Sequence, residues 1–281
     1  MPLHLNEELA FTTVRLEGAL RGGGVSTGTG FFYRTEVDAD RWAPAIITNK
    51  HVLADVDVLT FQVCLVDAAG QPVVGRYFSL NITDIQSSVI LHPSAEIDLC
   101  AVPCAGIVQL AADKGAQIFI KYFKHDHIPT AEEEADFGAL EPILMVGYPN
   151  GLWDRVNNRP LLRRGVTYTH PSLDLNGKGE FMIDAACFPG SSGSPVILWR
   201  EPGYIDRHGT INMAGINPKL LGALYAGPVS TVEGEVTVTP VPTAQGQLAR
   251  IGIPMNLGLV VKSRYIRDLE PLIIAVATRT A

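Results

Sequence analysis

Charge is sparse in this chain of 281 residues: Asp, Glu, Lys and Arg together make up 18%, beside 47% apolar residues. That balance excludes a disordered chain, which cannot bury enough apolar surface to offset its ordering entropy. The basic sign is the scarcer one, 22 Lys and Arg against 29 Asp and Glu, giving a net charge of −7. The basic residues form no tract, so no nucleic-acid partner is expected, because phosphate binding draws on clustered Lys and Arg. Long apolar runs are also missing. The best, Pro271 to Ala277, falls far short of the roughly 20 residues a spanning helix needs, and no membrane partner is expected. The N-terminus has no basic segment, and Glu7 and Glu8 stand where a secretory apolar core would lie, which points to the cytoplasm. Cysteine is rare: Cys64, Cys100, Cys104 and Cys187 read as reduced thiols packed in the core.

What the chain does have is glycine and proline, 27 and 19 residues, punctuating short β-branched or aromatic runs. Strands are expected at Phe11–Leu16, Gly28–Tyr33, Ala43–Thr48, Val58–Val66, Tyr77–Ile82, Ser88–Leu91 and Asp98–Val102. A second series covers Ile143–Val146, Arg164–Thr169, Phe181–Ala185, Pro195–Leu198, Leu220–Tyr225 and Leu257–Val261. Between them, 106–141 reads as a connecting segment in which Glu132, Glu133 and Glu134 mark a solvated helix or loop. Ser263 is a good N-cap, and Tyr265, Ile266, Leu269, Ile273 and Val276 fall near one helical face, so 263–277 is a helix. Pro271 should end or kink it around Glu270.

Three separated segments carry the chemistry. The run Asp184-Ala185-Ala186-Cys187-Phe188-Pro189-Gly190-Ser191-Ser192-Gly193-Ser194-Pro195 has glycines on both sides of Ser192, which permit the tight turn an exposed nucleophile needs. Upstream, Ile46-Ile47-Thr48-Asn49-Lys50-His51 ends an apolar strand with a histidine, and Ile97-Asp98-Leu99 opens another with an aspartate. Asp184 is expected only to tie the serine loop together by hydrogen bonds.

In this order the segments resemble those of trypsin-like serine peptidases of the two-barrel chymotrypsin fold, closest to the bacterial HtrA-like branch. The likeness extends to Gly147-x-Pro149-x-Gly151-Leu152 and to Ser26-Thr27-Gly28-Thr29-Gly30-Phe31. It covers roughly Phe11 to Leu269 and implies an all-β fold: two antiparallel six-stranded β-barrels, 10–105 and 142–262, with the C-terminal helix, in a single peptidase domain. It implies Ser192 as nucleophile, His51 as general base, Asp98 as its orienting partner, and the N–H groups of Gly190 and Ser192 as oxyanion hole. It further places Ala186 at the floor of the specificity pocket and Tyr225, Ala226 and Gly227 along the wall where substrate adds as a strand. A floor without a carboxylate favours small or medium apolar side chains before the cut, in a protein or peptide substrate.

The chain departs from the family at several points. Digestive members have an aspartate before the nucleophile, which pairs with a freshly cleaved N-terminus; Ser191 cannot, so no activation by cleavage is expected. Ser194 replaces a common glycine. With only 12 residues after Leu269, no PDZ module is expected. Among rivals, an α/β-hydrolase requires serine before histidine on a Gly-x-Ser-x-Gly elbow, and here only His208 follows Ser192. His125-x-His127 and Cys100-x₃-Cys104 are only fragments of a metal site, and Gly22-Gly23-Gly24 lacks the lysine of a phosphate loop; neither metal nor cofactor is expected. The charged stretch Trp153 to Arg164 reads as a solvated loop. One alternative stays open, a catalytically silent or partner-activated peptide-binding pseudoprotease or scaffold on the same fold.

Overall fold

The computed structural model describes residues 3–149, 153–201, 203–205, 209–213, 217–236 and 247–279, with backbone alone at 229–236 and 247–254. Gly151, Leu152 and His208 lie outside the described residues. The N-terminal half holds helix α1 (Leu5–Leu9), strands β1 (Thr13–Leu20), β2 (Val25–Glu36) and β3 (Trp42–Thr48), one-turn helix α2 (Lys50–Leu53), then β4 (Val56–Val66), β5 (Pro72–Thr83), β6 (Ile90–Leu91) and β7 (Cys100–Pro103). The connecting segment carries α3 (Ala105–Asp113), β8 (Ile118–Phe119) and α4 (Ala131–Ala135). The second half comprises β9 (Pro142–Gly147), β10 (Leu161–Thr167), β11 (Glu180–Asp184), β12 (Pro195–Leu198), β13 (Tyr204–Ile205), β14 (Ile211–Asn212), β15 (Lys219–Ala226), β16 (Val229–Val236), β17 (Gln247–Pro254) and β18 (Leu257–Lys262), and α5 (Ile266–Arg279) closes the chain.

The fold is all-β in character. The second half is a closed six-stranded barrel in the order β10-β11-β18-β15-β12-β9. The first is an eight-stranded sheet, ordered β5-β4-β1-β2-β3-β7-β6 with β8 beside β4. It curls around one interior: Val14, Leu16, Phe32, Ile46, Leu59, Phe61, Leu80 and Val102 form a single buried cluster. Strand register explains why the sequence reads as unbroken apolar runs here rather than as alternation. Successive side chains face opposite ways, and both faces of these strands are buried. Phe32 and Ile46 face the sheet interior, whereas Phe31, Tyr33, Ala45 and Ile47 pack outward in a second cluster with Leu144, Val146 and Ile197 of the barrel. The barrel's own interior holds Ile143, Met145, Phe181, Ile183, Val196 and Val260. The interface between halves is thus a third core, and its edge is where the functional loops meet.

Helix α5 leaves the barrel and packs back into that interface through Ile266, Leu269 and Ile273. It runs through Pro271 instead of ending at Glu270. Proline removes one hydrogen bond, but the buried side chains on either side, together with Tyr33 Oη donating to Glu270 Oε1 at 2.5 Å, hold the helix in place. The acidic run forms α4, capped by Thr130, whose Oγ1 accepts from the Glu133 N–H at 3.2 Å. All four cysteines are free thiols; Cys64 is half-buried and the others are buried. Among the described residues no helix is long and apolar enough to cross a membrane, and no cluster of three His, Cys, Asp or Glu side chains could hold a metal ion.

Candidate active site

β3 ends in Thr48, and Thr48 and the following Asn49 are both fully buried. Asn49 starts the single turn of α2, which sends Val52 and Leu53 into the core and leaves His51 half exposed. β7 pairs with β3, Thr48 opposite Cys100, so the residues just beyond these facing ends converge. Asn49 Nδ2 donates to the Asp98 carbonyl at 2.7 Å. The Asp98 carboxylate lies 2.5 Å from His51 Nδ1 and accepts the His51 backbone N–H at 3.2 Å. Burial alone would raise the Asp98 pKa, but the His51 ring together with the His51 and Lys50 amides outweighs it and holds the carboxyl below its ordinary value. An ionised carboxylate at Nδ1 keeps the proton on that nitrogen and leaves Nε2 as the basic atom.

The loop between β11 and β12 is two turns back to back. Ser191 N–H donates to Phe188 O at 3.0 Å with Gly190 at φ +85°, and Ser194 N–H to Ser191 O at 3.0 Å with Gly193 at φ +84°. Each is a turn with a positive φ at its third residue, the requirement that places glycine there; Pro189 and Ser192 occupy the second positions. The loop is fastened to both halves. Gly193 N–H donates to Leu224 O at 2.7 Å on the barrel side, and Ser192 O accepts from Thr29 N–H at 2.8 Å on the sheet side. Thr29 Oγ1 bonds Gly190 O at 3.1 Å, and Thr48 Oγ1 bonds Thr29 O at 2.8 Å. A Cβ on Gly193 would collide with Thr29 O and approach Thr48 Oγ1 to 2.6 Å. Ser192 therefore sits beside the strand end that carries His51.

Counting the amides of this loop is informative, since buried N–H groups are nearly always paired. Those of Ser191, Gly193 and Ser194 have acceptors. Those of Gly190 and Ser192, the two expected to face an oxyanion, have none among the described residues, and neither have those of Ala186, Cys187 and Phe188 earlier in the loop. No hydrogen bond joins Ser192 Oγ to His51 among the described residues; such contacts are often long in a free enzyme and tighten with substrate.

The pocket residues fall around the same loop. Ala186 lies at its start, beside Cys187, whose thiol burial pushes up to about 11. Tyr225 and Ala226 end β15 at a register shift, and a Cβ on Gly227 would approach Leu257 O to 2.7 Å. Tyr225 Oη donates to Glu180 Oε2. Ser194 is fully buried, with its Oγ in the space a Cβ on Gly147 would take, and that hydroxyl has no hydrogen-bond partner among the described residues. Asp184 is exposed and makes no side-chain hydrogen bond among the described residues. The expected loop tie is instead Arg163 of β10, whose Nη1 donates to Ala186 O. Thr29, Thr48 and Asn49 also escaped sequence reasoning as supports, because buried threonines on strands read simply as strand formers.

A two-unit β fold joined through a buried core, with an imidazole–carboxylate pair on one side and a glycine-flanked serine on the other, has the make-up of a serine peptidase. The chain matches the trypsin-like peptidase domain family over residues 28–201, more than half its length, and belongs to that family. No curated protein sequence matches it. Among solved structures it is similar to a thermostable serine protease from an extremophilic microorganism, with 11% identity, TM-score 0.48, and 94% of this chain and 98% of that one covered. It is similar to HL collagenase at 12% identity and TM-score 0.49, covering 94% of each chain. It is also similar to a scabies mite inactivated protease paralogue at 14% identity and TM-score 0.46, covering 95% and 96%.

Proposed function

We propose that the protein is a serine endopeptidase acting through an acyl-enzyme. Ser192 Oγ attacks the scissile carbonyl, and His51 Nε2 takes its proton and returns it to the leaving amine. Asp98 fixes the tautomer and stabilises the imidazolium, and the oxyanion forms against the Gly190 and Ser192 amides. The observation that supports this best is that the Gly190 and Ser192 amides, unlike those of Ser191, Gly193 and Ser194 beside them, have no acceptor among the described residues, next to a His51–Asp98 pair at 2.5 Å. The substrate is a protein or peptide laid as a strand along Tyr225 to Gly227, with a small or medium apolar residue before the cut. No N-terminal cleavage is needed for activity.

The missing Ser192–His51 bond favours one second reading, a peptide-binding pseudoprotease on the same fold. Fluorophosphonate labelling with peptide-library turnover separates the two. Wild type is expected to label and cleave, and Ser192→Ala to lose labelling and on the order of 10⁶-fold in kcat. Peptide binding without labelling of the wild type would establish the second reading.

A further inference from the structure

Arg163 has no part in the reaction just described, yet its side chain touches the nucleophile loop at both ends of one segment. It stands on β10 opposite Met145 of β9. Its Nη1 donates to the carbonyl of Ala186 and lies 3.4 Å from Ser191 Oγ, while the guanidinium carbon is 5.6 Å from the Phe188 ring centroid. Among the described residues the other hydrogen bonds that fasten the loop to its surroundings fall on Ala185, Gly190, Ser192, Gly193 and Ser194. Within Ala186 to Pro189, which leads into the Gly190 amide, Cys187 is packed in the barrel core, and among the described residues the hydrogen bond from outside the loop comes from Arg163.

The guanidinium is half-buried and has no carboxylate partner among the described residues, in contrast to its neighbour Arg164, paired with Glu201 at 3.2 Å. A buried cation without an acid is costly, so packing alone is a poor reason for arginine here. A single nitrogen, Nη1, faces both acceptors, and the rigid plane of the guanidinium pre-organises that nitrogen more than a lysine stem would. Ser191, itself buried, presents its hydroxyl to that nitrogen.

We propose that Arg163 is a positioning residue for the oxyanion hole: its guanidinium spans Ala186 O and Ser191 Oγ and holds the loop with the Gly190 and Ser192 amides facing the cleft. This rests on reading Ser192 as the nucleophile. The loop is thereby set by a cation already present within the chain, so activity does not wait on a separate ordering event.

The test measures turnover, fluorophosphonate labelling, thermal stability and hydrogen exchange of the 186–193 peptide in wild type, Arg163→Ala and Arg163→Lys. Arg163→Ala is expected to lower kcat about ten- to a hundredfold with KM within about twofold, less than the roughly 10²–10³ of a deleted oxyanion donor because the amides are misplaced and not removed. It should speed exchange across 186–193 and regain kcat when free guanidinium ion fills the vacated space. Arg163→Lys, which keeps the charge but loses the planar, pre-organised donor, should fall between while melting with the wild type. Unchanged kcat and exchange in Arg163→Ala overturn the proposal. So does a parallel loss of kcat and melting temperature in both variants without rescue by guanidinium. Should Arg163→Ala fail to fold, Arg163→Lys decides, and wild-type kcat and exchange in it count against the proposal. Failure of the peptidase reading looks different: wild type itself does not label, while the exchange comparison still reports whether Arg163 holds the loop.

Discussion

Ser194 shows how a single side chain is accommodated beside a reaction centre. Its hydroxymethyl fits because position 147 is glycine, and its N–H still closes the turn to Ser191 O at 3.0 Å, so the amides of the loop are undisturbed. The hydroxyl itself is another matter. Ser194 Oγ is buried without a partner among the described residues, and leaving a buried hydroxyl unsatisfied costs about 1–3 kcal/mol. Ser194→Ala keeps the Cβ packing and removes that cost. It is expected to raise stability by about 1 kcal/mol, moving Tm up by about 2 °C, with kcat within about twofold of wild type. Calorimetry and steady-state kinetics on the purified variant check both parts. A lower Tm would mean that the hydroxyl has a partner in solution. Loop glycines behave differently: Gly193 is required twice, by its φ of +84° and by the backbone of Thr29 against it.

Among elements, the strands were the most legible and the supports between them the least. Apolar runs such as Ala43–Thr48 and Ile143–Val146 announce strands, and because both faces are buried they carry no alternation to say which face looks inward. That is decided only when the halves meet. Short elements escaped for a related reason. α3 and the ribbon of β16 and β17 have little periodic pattern of their own, and β8 pairs over two residues only. At the site, the histidine, aspartate and serine were readable from their flanking residues, whereas Arg163 looked like part of a solvated charged stretch. Arg200 was equally silent. It follows β12 and grips Glu141, just before β9, through Nε–Oε2 at 2.9 Å and Nη2–Oε1 at 2.6 Å. Both side chains are largely buried, 13% and 8% exposed, and Glu141 Oε1 also accepts the Gly138 N–H at 2.6 Å. Removing one partner of such a pair strands the other charge. Glu141→Ala is expected to cost about 3–5 kcal/mol, read as a lower urea midpoint, whereas Glu141→Leu combined with Arg200→Met should recover most of the loss. Additive damage in the double variant would refute the pairing as the cause.

At the scale of the whole molecule, the proposed reaction is divided between the halves: His51 and Asp98 come from the sheet, Ser192 from the barrel loop. Their alignment therefore depends on the interface core, and α5 is its keystone. Ile266, Leu269 and Ile273 are each at most 1% exposed and belong to the buried cluster that gathers side chains from both halves, with α5 itself lying against β2, β3, β6 and β7. Polar contacts point the same way, with Asp268 Oδ2 at 3.2 Å from His92 Nε2 and Glu270 at 3.1 Å from His125 Nδ1, both partners in the first half of the chain or the connecting segment. Burying one such side chain contributes about 1.5–3 kcal/mol. Three together approach the 5–15 kcal/mol that typically separates folded from unfolded protein. Truncation after Lys262 is therefore expected to abolish the cooperative thermal transition seen by circular dichroism. Leu269→Ala should cost about 2–5 kcal/mol and lower the stability of both halves together. Hydrogen exchange along a urea series checks this through peptides from β2 and β12, which should share one midpoint in wild type and one lowered midpoint in the variant. If only one half shifted, the helix would belong to that half alone, and the interface would not be what brings Ser192 to His51.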